Sequence, residues 1–104
     1  MQKVAFTMQL KPGFEAEYKR RHDEIWEELA ILIRDAGIRN YNIFLDPDSL
    51  KLFAVHYLDE NNTSKDLAGK SIMKKWWTYM SDIMETNEDN SPVVKPLEIV
   101  FHMD

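Results

Sequence analysis

The chain contains no cysteine and, in 104 residues, only three glycines and four prolines. Without a thiol there is no disulfide framework, no thiolate zinc site and no cysteine nucleophile. Glycines this few and scattered form no phosphate-cradling loop, and neither a GxSxG elbow nor an EF-hand pattern occurs, despite "DPDS" and "NEDN". Long apolar runs are also missing. The start, MQKVAFTMQL, is too short an apolar stretch for a signal peptide, and no later segment approaches membrane-spanning length. Positive charge is scarce: 13 Lys and Arg face 18 Asp and Glu for a formal net charge of −5, and the basic clusters are as short as Lys19–Arg20–Arg21 and Lys74–Lys75. A phosphate-coated partner needs a clustered basic face, so neither nucleic acid nor an anionic membrane is expected. These absences point to a soluble, cytoplasmic chain.

What is present is enough apolar material for one core, 44% of residues, and no repeat, low-complexity tract or linker interrupts it. Residues 1–104 therefore read as a single domain, small enough for association with a second copy to add stability. Val4, Phe6, Met8 and Leu10 alternate with Ala5, Thr7 and Gln9, the period of a strand with one buried face, before Pro12–Gly13 breaks it. From Phe14 to Ala36 apolar residues recur at helical spacing and Gly37 follows, which predicts one long amphipathic helix. Ile38–Leu45 and Lys51–Leu58 are β-rich and joined by Asp46–Pro47–Asp48–Ser49, which suits a hairpin. A short helical piece ends near Gly69. Ser71 then caps a further helix carrying Ile72, Met73, Trp76, Trp77, Met80, Ile83 and Met84. After "ETNEDNSP", Leu97, Ile99 and Phe101 alternate with Glu98, Val100 and His102 as a last strand. The order β-α-β-β-α-β predicts an α+β, ferredoxin-like sandwich: a four-stranded antiparallel sheet with its helices on one face. The other face needs a cover, which a homodimer with packed sheets, a dimeric α/β barrel, would supply.

Polar groups in apolar places mark the candidate site. On a helical wheel with about 100° per residue, Tyr18 and His22 fall inside the stripe formed by Ile25, Leu29, Leu32 and Ile33. A histidine there is either a satisfied packing residue or a proton donor or acceptor facing a pocket, its ordinary pKa of about 6.5 lying near working pH. Adjacent tryptophans in "KKWWTYM", Trp76 and Trp77, project about 100° apart, so both rarely enter the same core. Their faces suit the C–H side of a sugar, and each indole N–H can donate to a hydroxyl. Tyr41 adds a phenol on the second predicted strand, where an ordinary cross-strand contact is the alternative. His22, His56 and His102 lie on different elements with no HxxxH or His-x-His spacing, so no metal site is expected. "DNSP" has the chemistry to shape a pocket rim.

Taken together, "AFTMQL", "EYKRRHDEIWEEL", "NYNIFLD", "KKWWTYMSDIM" and "NEDNSP" before "LEIVFHMD" resemble the L-rhamnose mutarotase family over nearly the whole chain. That resemblance implies a dimeric ferredoxin-like fold, with His22 as proton donor and Tyr18, Tyr41, Trp76 and Trp77 as substrate contacts. The strand "LFAVHYLDE" departs most freely from the family, and a pocket-facing His56 or Tyr57 would alter the preferred sugar. The implied reaction opens and recloses a sugar ring by acid–base chemistry and demands neither a metal nor a redox cofactor. The groups able to act as base are Tyr18, Tyr41, a carboxylate or a water. A cofactor-free monooxygenase, supported by fold analogy alone, and a non-catalytic small-ligand module are the competing classes.

Overall fold

Alternation in the first segment does produce a strand, β1 (Gln2–Gln9), in a computed structural model that describes every residue from Met1 to Asp104. β1 pairs antiparallel along its length with β3 (Lys51–Leu58), β3 pairs with β2 (Ile38–Leu45), and a short β4 (Lys95–Pro96) joins the other edge of β1. The sheet order is β2-β3-β1-β4. Pleat alternation sends Phe6 and Met8 from β1, and Leu52 and Ala54 from β3, into a core shared with Leu29, Met73, Trp76, Met80 and Ile83 from the helical layer. This is the α+β sheet-and-helix architecture anticipated from the element order.

β2 contains an irregularity that strand period alone does not predict. Asn40 adopts φ 49°, the left-handed region that Asn tolerates better than most residues, and the pairing with β3 slips between Arg39 and Asn42. The slip has a packing reason. Ile38 and Ile43 stand five positions apart and in a regular strand would face opposite sides, yet they pair with Leu58 and Ala54, which share one face of β3. A bulge restores both isoleucines to the core side.

The long helix expected from Phe14 to Ala36 is instead two helices, α1 (Glu15–Asp23) and α2 (Glu27–Asp35). Trp26 is extended, with φ −59° and ψ 131°, and the amide of Ile25 bonds back to the His22 carbonyl at 3.2 Å. No Pro or Gly stands at the break, so composition gives no warning of it. Its product is visible in the packing: the ring of Trp26 meets Trp76 edge-on at 5.0 Å and stacks on Tyr79 at 5.5 Å. Aromatic contacts with the helix α3 (Ser71–Met80) thus accompany the missing turn.

A second difference lies at the C-terminus. The alternating segment Leu97–His102 is not a strand; regular pairing stops at Pro96, and only the Leu97 amide reaches β1, at the Ala5 carbonyl. Ile99, Val100, Phe101 and Met103 are 66–92% exposed. Their sequence has strand character, but within one chain they meet no apolar surface to bury against.

Arg21 fastens α1 to α3. Its side chain is only 9% exposed and donates to both Asp82 carboxylate oxygens, to Glu17 and to the Tyr79 carbonyl, while its guanidinium lies 4.4 Å from the Tyr79 ring centre. Replacing Arg21 by alanine is expected to destabilise the fold by about 1–3 kcal/mol, because the Tyr79 carbonyl loses its donor while both carboxylates can return to water. Urea unfolding monitored by tryptophan fluorescence measures this.

Candidate active site

Between the sheet and the three helices lies a cavity of about 1250 Å³. It is more than roomy enough for a monosaccharide, since small-molecule pockets span about 300–1,000 Å³. Tyr18 and His22 enter it from α1, Tyr41 from β2, and Trp76 and Trp77 from α3, so all five candidate residues line one space. Asn90 and Pro92, from the loop between α3 and β4, also line it, which gives "DNSP" its place at the rim. That loop is held by the Asn87 amide on the Ser91 carbonyl at 2.8 Å and by the Asn90 side chain reaching Thr78.

The phenol and the imidazole of α1 sit one turn apart and touch. Their rings stack with centres 4.3 Å apart, and the His22 ring meets Trp76 edge-on at 5.4 Å. Nδ1 of His22 lies 3.1 Å from the carbonyl oxygen of Tyr18. A carbonyl only accepts, so Nδ1 carries the proton, and in the neutral ring the lone pair stands at Nε2. Burial lowers the pKa of His22 below 6.5, outweighing the carbonyl bond and the nearby Asp23, which both favour the charged form. At neutral pH this ring therefore rests as a base with its free lone pair at Nε2.

The phenols behave in the opposite sense. Burial pushes Tyr18 well above its usual range, with a smaller contribution from Tyr41, and Tyr41 itself is pushed up to about 12. Tyr41 as a residue is 40% exposed on the sheet-edge strand, yet its phenol is desolvated enough to resist ionisation. Both hydroxyls stay protonated at neutral pH and so are able to donate hydrogen bonds. Trp76 is buried and Trp77 half-buried, so the pair divides between core and margin while both contribute to the cavity wall. No three His, Asp or Glu side chains converge as a set of metal ligands.

The sequence did not single out Trp26, Tyr79 or Arg21 as neighbours of this site, because their positions follow from the helix break and from contacts between helices. His56 also faces the cavity. Of the two orientations left open for the strand "LFAVHYLDE", the pocket-facing His56 is the one found, in step with the alternation of Leu52, Ala54, His56 and Leu58 along one side of β3.

Comparison with known proteins identifies relatives of the whole chain. Residues 3–103 match the family described as L-rhamnose mutarotase. The L-rhamnose mutarotase of Sinorhizobium fredii is 52% identical over 103 residues, covering 99% of each chain, and that of Phocaeicola vulgatus is 50% identical over the full length of both. The crystal structure of L-rhamnose mutarotase from Formosa agariphila superposes with a TM-score of 0.94 at 45% identity, covering 100% of both chains.

Proposed function

Because this chain belongs to the L-rhamnose mutarotase family, we propose that its cavity holds L-rhamnose and that Nε2 of His22 moves the anomeric proton. The protein is an isomerase that interconverts the α and β anomers of L-rhamnose in rhamnose metabolism. In ring opening, the neutral His22 takes the proton of the anomeric hydroxyl as the bond between the anomeric carbon and the ring oxygen breaks, and the ring oxygen takes a proton from a water in the cavity. The resulting aldehyde turns about its bond to the next carbon. In reclosure the attacking hydroxyl gives its proton back to that water while the imidazolium returns its proton to the carbonyl oxygen, so His22 is the proton donor of the second half. Tyr18 and Tyr41 donate hydrogen bonds to the sugar oxygens, while Trp76 and Trp77 cover its C–H faces and the 6-methyl group. Residues 1–104 act as one mutarotase domain, and the cysteine-free composition is in keeping with work in the cytoplasm.

The observation that carries this reading is the His22 ring, bonded to its own helix through Nδ1 and packed against Tyr18 and Trp76 in the cavity wall. Exchange spectroscopy of the two anomeric proton signals of L-rhamnose tests it. Micromolar protein is expected to accelerate exchange, and an unchanged rate would reject the assignment. No oxygen uptake is expected with phenolic substrates, which separates this activity from that of a cofactor-free monooxygenase. The pH profile tests the role of the ring. A base with a pKa lowered by burial gives kcat/KM that rises with pH through a value below 6.5 and is level by about pH 7, after subtraction of the uncatalysed rate. A histidine that had to start as imidazolium would show the reverse slope.

The enzyme acts as a homodimer joined through the C-terminal arm and the outer face of the sheet. Ile99, Val100, Phe101 and Met103 on the arm and Phe44 on that face, 64% exposed, are large apolar side chains that a second copy would cover. Truncation after Pro96 is expected to convert the dimer to monomer in light scattering coupled to size exclusion. A truncated chain of unchanged oligomeric state would refute the arm's role. No helix is long and apolar enough to cross a membrane.

A further inference from the structure

A second imidazole opens on the cavity from the sheet side, where the mechanism makes no use of it. His56 stands on β3 opposite Val4 of β1, is 7% exposed, and lies between the edge of Phe6 at 6.0 Å and the ring of Tyr41 at 5.1 Å. Its Nδ1 is sealed from solvent and has no hydrogen-bond partner. Nε2 is neither sealed nor bonded to protein, and the residue lines the cavity.

Nε2 is thus the ring nitrogen of His56 that is open to a ligand, and no protein group competes for it. On the mutarotase reading, which this inference deepens, the group that Nε2 can meet in the cavity is the substrate. We infer that His56 is a specificity-determining contact whose Nε2 hydrogen-bonds one hydroxyl of the bound sugar. Nε2 either donates its proton to a sugar oxygen or accepts a sugar hydroxyl at its lone pair, as the tautomer dictates. Burial also lowers the pKa of His56, which keeps the ring neutral at neutral pH. The contact comes from the sheet wall, whereas Tyr18, His22, Trp76 and Trp77 approach from the helices. A hydroxyl held there is therefore gripped on a side that the helical residues leave free. A site built to bond a particular hydroxyl rejects analogues that lack it far better than an apolar wall can.

The test pairs substitutions with sugars. Anomeric exchange is measured for wild type, His56→Leu and His56→Gln on L-rhamnose and on monodeoxy analogues that each lack one hydroxyl. His56→Leu is expected to raise KM for L-rhamnose roughly tenfold with kcat held within about twofold, the loss of one hydrogen bond to bound substrate. His56→Gln, whose amide nitrogen reaches the place of Nε2, is expected to recover most of that loss. The leucine penalty is expected to vanish for one analogue, identifying the hydroxyl that His56 holds. An unchanged KM for L-rhamnose, or an equal penalty for every analogue, would overturn the inference. Calorimetric titration of the same sugars separates it from the activity: a wild type that binds but does not accelerate exchange loses the mutarotase assignment, while the pairing of His56 with a hydroxyl is still read from affinity. If His56→Leu does not fold, His56→Met carries the same comparison, and failure of both to fold would make the residue structural and defeat the proposal.

Discussion

Replacing His22 by alanine is expected to slow enzyme-accelerated anomer exchange by about 10²–10⁴-fold, the usual worth of one positioned acid–base group, and to leave the far-ultraviolet circular dichroism unchanged. The fold tolerates the change because His22 is only half-buried and its one side-chain bond is to a carbonyl of its own helix. That carbonyl keeps its place in the helical hydrogen-bond ladder without the imidazole. Activity falls because neither neighbouring phenol can take over. Tyr18 and Tyr41 both have raised pKa values, so the fraction ionised at neutral pH is far too small to replace a histidine base. The comparison needs exchange rates extrapolated to zero buffer, since imidazole or phosphate in solution would rescue a missing base. Retention of more than about a third of the wild-type acceleration would move the proton-transfer role elsewhere in the cavity, against the expected range.

Replacing Ile83 by alanine is expected to cost about 3 kcal/mol of folding free energy, within the range for deletion of a buried aliphatic side chain. Ile83 is 0% exposed and is absent from the cavity wall, so solvent has no ready route into the space left behind. Its backbone adds a second constraint: the Ile83 carbonyl accepts the Lys11 amide at 3.0 Å, and the next residue, Met84, bridges to Leu10. The segment after α3 is thereby pinned across the end of β1 and cannot easily collapse onto a void. For a domain of this size the melting temperature is expected to drop by roughly 15 °C, measured by calorimetry. Leu29, at 1% exposure, makes an informative contrast because it does line the cavity. A void there merges with space that is already open, so Leu29→Ala is expected to fall nearer the low end of about 2–5 kcal/mol.

These two outcomes separate what the cavity does from what surrounds it. The His22 change is confined to chemistry at a wall. The Ile83 change loosens the support behind α3, the helix that carries Trp76 and Trp77. A melting temperature lowered by Ile83→Ala with kcat preserved at low temperature would show that the wall keeps its form until the core gives way.

The sequence by itself determined the strand alternation in β1 and β3, the hairpin between β2 and β3, and the helical order, because each depends on local periodicity and turn chemistry. It also marked His22 and Tyr18, since polar side chains inside an apolar stripe are visible without coordinates. Tertiary structure alone decided the rest. The helix break at Trp26 is stabilised by rings some fifty residues away on α3, and no local breaker encodes it. The bulge at Asn40 exists because two isoleucines must share one face of the sheet, a demand made by the core rather than by β2. The apolar alternation after Pro96 remains unpaired within this chain, since strand propensity is realised only where a partner surface exists. The proton on His22 was fixed by the position of a carbonyl at 3.1 Å. Periodicity reports which side a residue faces; which nitrogen it turns toward a substrate depends on what the fold has placed behind it.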